Sequence, residues 1–167
     1  MAFRYKKSRN PNGGRELVEF TLADSTAFTV GDAVELASGV LALCGAGGAL
    51  LGILTEIRQA NGAPVTTNGA GSAYTGTYTT GASNTVVGVV DVSTDSIYSA
   101  PADATLGTTT GSDLPGYNMD VVAASDTLDE STAATTTAQF FSYGPDPDTS
   151  APSNSVLVSI QESQIKL

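Results

Sequence analysis

An all-β fold is the class this sequence predicts, and three observations predict it. Threonine, serine, glycine and valine stand where helical proteins carry leucine, lysine and glutamate. The most apolar stretch, Phe28 to Ile57, breaks into strand-length runs separated by glycines. No segment of any length shows the period of an amphipathic helix. At 167 residues the chain suits one domain. The expected form is a small antiparallel β-barrel or sandwich over residues 16–167, with an extended basic N-terminal arm (1–15) and a long projecting loop (61–83).

Taken in order, Glu16 to Leu22 alternates as a first strand should. Ala33 to Leu36, Val40 to Cys44 and Leu50 to Ile57 follow as three strands, expected to form a meander. Ser38-Gly39 and Gly45, Gly47 and Gly48 provide the breaks, because glycine accepts positive φ at little cost. In the third run, strict alternation sends Leu51, Ile53 and Ile57 one way and Leu50, Leu54 and Glu56 the other, so this strand is apolar on both faces. Leu36 to Thr55 is also twenty residues without a charge, the length of a membrane span. Its five glycines, each costing about 1 kcal/mol relative to alanine in a helix, favour the sheet.

Thr85 to Val92 is strongly β-branched and returns to the core, followed by Ser96 to Tyr98. Asp103 to Gly116 is rich in turn residues, Met119 to Ala123 is a strand, and Asp126 to Glu130 is a turn. Gln139 to Tyr143 and Ser155 to Gln161 complete the β content, joined by the rigid loop Gly144-Pro145-Asp146-Pro147-Asp148. Asn61 to Ser83 has hardly any aliphatic anchor. It reads either as a surface loop or as a small hairpin that projects toward a neighbour with Tyr74 and Tyr78 on one face.

Charge divides the chain sharply. Arg4, Lys6, Lys7, Arg9 and Arg15 are five of its seven basic residues, and no acid precedes Glu16. Residues 16–167 carry two bases against seventeen acids, a net of −15. A fifteen-residue extended arm reaches roughly 50 Å, against a radius of gyration of about 15 Å for the body. Such an arm has two destinations, an acidic neighbour or its own acidic body. The candidate partner-binding residues are therefore Arg4, Tyr5, Lys6, Lys7, Arg9, Arg15, Tyr74 and Tyr78.

Chemistry is narrowed by what is missing. The chain has no histidine, which removes Ser-His and Cys-His nucleophiles and most zinc sites. Tryptophan is also absent, so a glycosidase would lack its usual stacking platforms. Asp146 with Asp148, and Asp126 with Asp129 and Glu130, lack the spacing of a calcium loop and read as solvated acidic turns. No phosphate-cradling motif occurs. Nucleic acid is an unfavourable partner for so acidic a body, and Cys44, being single, reads as a small buried residue. No catalysis, cofactor or metal is expected, and neither is a secretory leader or membrane span.

The runs Phe28-Thr29-Val30-Gly31-Asp32-Ala33-Val34 and Leu51-Gly52-Ile53-Leu54, with Thr85 to Ser93 and Gln139 to Ile160 around the GPDPD loop, resemble the capsid decoration (cement, or head auxiliary) proteins of tailed bacteriophages. The resemblance covers most of the chain in style and has no diagnostic motif. It implies a non-catalytic homotrimer made in the host cytoplasm and bound to the major capsid protein on the outer surface of the virion head. A fibre or receptor-binding module, with Tyr74 and Tyr78 against a glycan or host protein, and a shell or tail subunit are the other structural roles open to such a sequence.

Overall fold

The computed structural model describes residues 2–67, 73–104, 106, 115–122, 126–134 and 139–161, with the backbone alone for 130–134. The described chain is all-β, as the composition predicts, and consists of antiparallel sheets without a closed barrel. The larger sheet has six strands in the order β1 (Arg4–Ser8), β9 (Ser96–Pro101), β13 (Ser155–Ile160), β12 (Phe140–Pro145), β10 (Asn118–Val121) and β11 (Leu128–Ala134). The second has the order β2 (Leu17–Thr21), β8 (Val87–Asp91), β6 (Leu50–Arg58), β4 (Ala33–Ala37) and β5 (Val40–Leu43). A ribbon pairs β3 (Ala27–Thr29) with β7 (Thr77–Thr79). Parallel bridges from Leu22 to Leu41 and from Ala102 to Leu128 draw the two large sheets inward without closing them.

Burial explains the layering. Between the large sheets, Ala33, Leu50 and Ile53 meet Tyr98, Met119, Phe140 and Val156. On the other face of the five-stranded sheet, Val34, Leu51, Leu54 and Val90 meet Phe28 and Tyr78 of the ribbon. That sheet is apolar on both faces because it is covered on both, and each such side chain contributes roughly 1.5 to 3 kcal/mol of burial.

Two details of the central strands depart from expectation. The β4–β5 hairpin turns at Ser38 and Gly39, both left-handed with φ of 52° and 86°, as a two-residue hairpin requires. Strand β6, however, pairs with β4 and not with β5, so the three do not form a simple meander. Residues 44–49 carry the chain across, held by Gln139 of the opposite sheet. Its Nε2 donates to the carbonyls of Gly45 at 2.8 Å and Gly48 at 3.0 Å, while its Oε1 accepts from the Val121 amide at 2.8 Å. Burial beside this clasp pushes the Cys44 thiol up to about 12.

The facing of β6 also differs. Leu50 and Ile53 point into one core, and Leu51, Leu54 and Ile57 into the other. Register shifts between Val34 and Glu35 on one side, and between Leu54 and Glu56 on the other, break the two-residue period. Gly52 is required here, since a Cβ would lie 2.3 Å from the Asp91 carbonyl oxygen. Leu128 opens strand β11, so the turn expected at 126–130 stops at Thr127. Among the described residues no helix is long and apolar enough to cross a membrane, and Leu36 to Thr55 contributes to β4, β5 and β6.

Candidate interaction surface

The basic N-terminal segment reaches its own body and becomes part of it. Arg4–Ser8 pairs antiparallel with β9, from Arg4 opposite Ser99 to Ser8 opposite Ser96, with a bulge between Tyr5 and Lys7. Phe3 anchors the entry. It is 4% exposed, stacks on Phe140 at 4.8 Å and meets the edge of Tyr98 at 6.4 Å. The Phe3 amide donates to the Gly31 carbonyl at 3.0 Å, and a Cβ on Gly31 would lie 2.4 Å from that of Ala2. Gly31, at φ 100°, gives the chain room to pass.

Three of the five N-terminal cations then find carboxylates. The Lys6 ammonium sits 2.8 Å from Asp148 and 3.1 Å from Asp146, spanning the GPDPD loop. Hydrogen bonds to Asp148 and Asp146 raise the Lys6 pKa, and the bond from Lys6, with others from Ser150, holds Asp148 well below the usual carboxylate range. Desolvation opposes the same effect at Asp146, yet its pKa is also lowered. Arg9 donates to the Tyr143 hydroxyl at 3.0 Å and lies 3.3 Å from Asp95.

Arg15 makes the most enclosed of these contacts. Its Nε donates to Asp91 at 2.8 Å, and its guanidinium lies 4.8 Å from the centre of the Tyr5 ring. Asp91 is fully buried and also accepts from the Ser96 hydroxyl at 2.8 Å, the Tyr98 hydroxyl at 2.5 Å and the Ser93 amide at 3.0 Å. A buried carboxylate needs such a set of donors. Burial, then the bond to Asp91, raises the Tyr98 pKa, while at Arg15 desolvation is outweighed by that bond.

Arg4 and Lys7 remain exposed, and no ion pair reaches either among the described residues. Tyr5 is 41% exposed and lines an open groove of about 450 Å³ with Ala2, Arg4, Arg15, Val30 and Leu54. Compared with known protein families, curated proteins and solved structures, the chain matches none. The geometry of this surface is therefore the basis for any functional reading.

The second expected contact, the hairpin around Tyr74 and Tyr78, is docked and does not project. Tyr78 lies in β7, is 6% exposed and packs into the core under the five-stranded sheet. Its burial removes it from the surface residues predicted to meet a partner. Tyr74 is half-buried against the same core, with its ring 6.5 Å from Tyr78 and its hydroxyl donating to Gly76 at 3.3 Å. Residues 68–72 of this loop lie outside the described residues. A groove of about 410 Å³ nearby is lined by Gln59, Asn61, Thr67 and Thr85 with Tyr78.

Sequence reasoning did not find Asp91, Asp95 or Tyr143 as partners of the basic segment. Asp91 ends an apolar run, and an acid beside a β-branched strand is the one signal that marked it. Asp146 and Asp148, considered as calcium ligands, instead share Lys6. Among the described residues no group of three or more His, Cys, Asp or Glu side chains is placed to hold a metal ion.

Proposed function

We propose that this chain is a structural virion protein, a decoration protein that binds the major capsid protein on the outer surface of a phage head and stabilises contacts between capsomers. The single observation that carries this reading is the exposed basic edge at β1. In a chain of net charge −10, Arg4 and Lys7 stand unpaired on a sheet edge while their three neighbours are neutralised internally. Such an edge selects an acidic surface. A stiff two-core β body suits a strut between subunits, and many weak contacts repeated over a shell give tight retention through effective concentration. An acidic exterior keeps coated particles from sticking together.

A second reading, a receptor or glycan-binding module of a virion, draws on the uncharged groove at Gln59, Asn61, Thr67 and Thr85. Mixing purified chain with bare heads separates the two. A decoration protein binds at stoichiometric copy number and raises the heads' resistance to heat or chelation. Failure to bind heads, with attachment to host cells instead, selects the second reading.

A further inference from the structure

Strand β1 ends the six-stranded sheet, so one of its edges has no strand beside it among the described residues. An open edge is a template for another extended segment. This one carries a selection rule. Pairing β1 with β1 of a second copy sets Arg4 and Lys7 against the same cations, and like charges across a ladder repel. The edge therefore excludes its own image and accepts an acidic strand.

The chain itself supplies one. Strand β2 ends the five-stranded sheet, and its opening segment presents Glu16, Leu17 and Glu19, all exposed. Arg58 of the same chain pairs with Glu19, whereas no ion pair reaches Glu16 among the described residues. The bridge from Leu22 to Leu41 covers this sheet edge beyond the far end of β2 and leaves the Leu17 end open. Tyr5, Leu17 and Val30 are the exposed large hydrophobic side chains of the described residues, at 41%, 51% and 41%. Two of them, Tyr5 and Val30, line the groove beside β1, and the third stands on the acidic edge. Each surface thus offers what the other lacks, a basic rim around an apolar trough and the Glu16 carboxylate beside an apolar side chain.

We propose that the open edge of β1 is a self-association site that receives the Glu16–Glu19 segment of a second copy of this chain. Leu17 of one copy enters the groove at Tyr5, Val30 and Leu54, and Glu16 faces Arg4 and Lys7. The contact joins two different patches, so repeated copies close into a ring or extend. This is the edge proposed above to meet a head, so the two contacts compete for it, and sedimentation without heads reads the self-contact alone.

Sedimentation of the purified full chain tests this, at about 0.05 M and about 0.5 M salt. The expected result is an oligomer at low salt that dissociates at roughly tenfold higher concentration in high salt, as charged contacts do. R4E/K7E should sediment as a monomer with an unchanged melting temperature, since no ion pair reaches either side chain among the described residues. Leu17→Ser, on the other patch, should give the same loss. Mixing R4E/K7E with Glu16→Lys should restore association, because the unaltered β2 edge of the first meets the unaltered β1 edge of the second and the two charge-reversed edges also attract. A wild-type chain that stays monomeric under all these conditions overturns the proposal, as does an oligomer that R4E/K7E leaves intact.

Discussion

The N-terminal segment and the Asn61–Ser83 segment have the same weakness, few aliphatic anchors, and both return to the body by different means. Residues 2–15 return by charge, through Lys6 to Asp146 and Asp148, Arg9 to Asp95 and Arg15 to Asp91, with Phe3 as the main apolar anchor. The later segment returns by apolar burial of Tyr78, Val65 and Tyr74 under the five-stranded sheet. Ionic docking should therefore respond to salt and pH, and apolar docking to neither. A chain with one segment of each kind holds its own control.

The largest expected effect breaks the ionic side at its most buried point. Asp91→Ala leaves the Arg15 guanidinium and the Tyr98 and Ser96 hydroxyls without their shared acceptor, and should lower stability by about 3 to 5 kcal/mol in denaturant unfolding. Breaking the apolar side with Tyr78→Ala should cost about 3 kcal/mol by the same measurement. That loss should be equal at low and high salt, and the Asp91→Ala loss nearly so because Asp91 is buried, whereas the exposed Lys6 and Arg9 pairs weaken as salt rises.

Acidity sharpens the contrast further. Asp146 and Asp148 have folded pKa values below their ordinary 3.8. Their contribution is present above about pH 4 and is lost as pH falls through the folded values. Asp32 behaves in the opposite sense. It is 5% exposed, and desolvation raises its pKa to about 6 against a bond from the Thr29 amide at 2.7 Å. Its contribution is complete below about pH 4 and is lost as pH rises through about 6. Unfolding of Asp32→Asn between pH 3 and 7 should lack that decline and keep the loss at low pH. The smallest effect belongs to Lys6→Ala. It should remove part of the low-pH loss and little else, since the ammonium is partly exposed and readily screened.

Most of the sheet was legible because its strands announce themselves twice, by apolar period and by the residues that end them. Ala33–Ala37, Val40–Leu43 and Leu50–Arg58 fall close to their predicted runs, and the Ser38-Gly39 turn has the positive φ that its sequence implies. What escaped was non-local. Residues 4–8 have no alternating apolar pattern, and the register of β1 comes from β9, about ninety positions away. Strict alternation gives the wrong parity for β6 because its bulges are set by pairing with β4 and β8, and Gly52, the mark they leave within β6, does not fix the register on its own. At the surface, charge count marked the basic segment correctly, but it did not indicate which cations are neutralised within the chain.

Amide hydrogen exchange along Arg4–Ser8, in dilute full-length chain where association is suppressed, tests the central claim most directly. If the basic segment is an edge strand of its own molecule, amides facing β9 exchange slowly and those on the open edge exchange fast, giving an alternating pattern. Uniform exchange at the rate of a free peptide across all five residues contradicts the account.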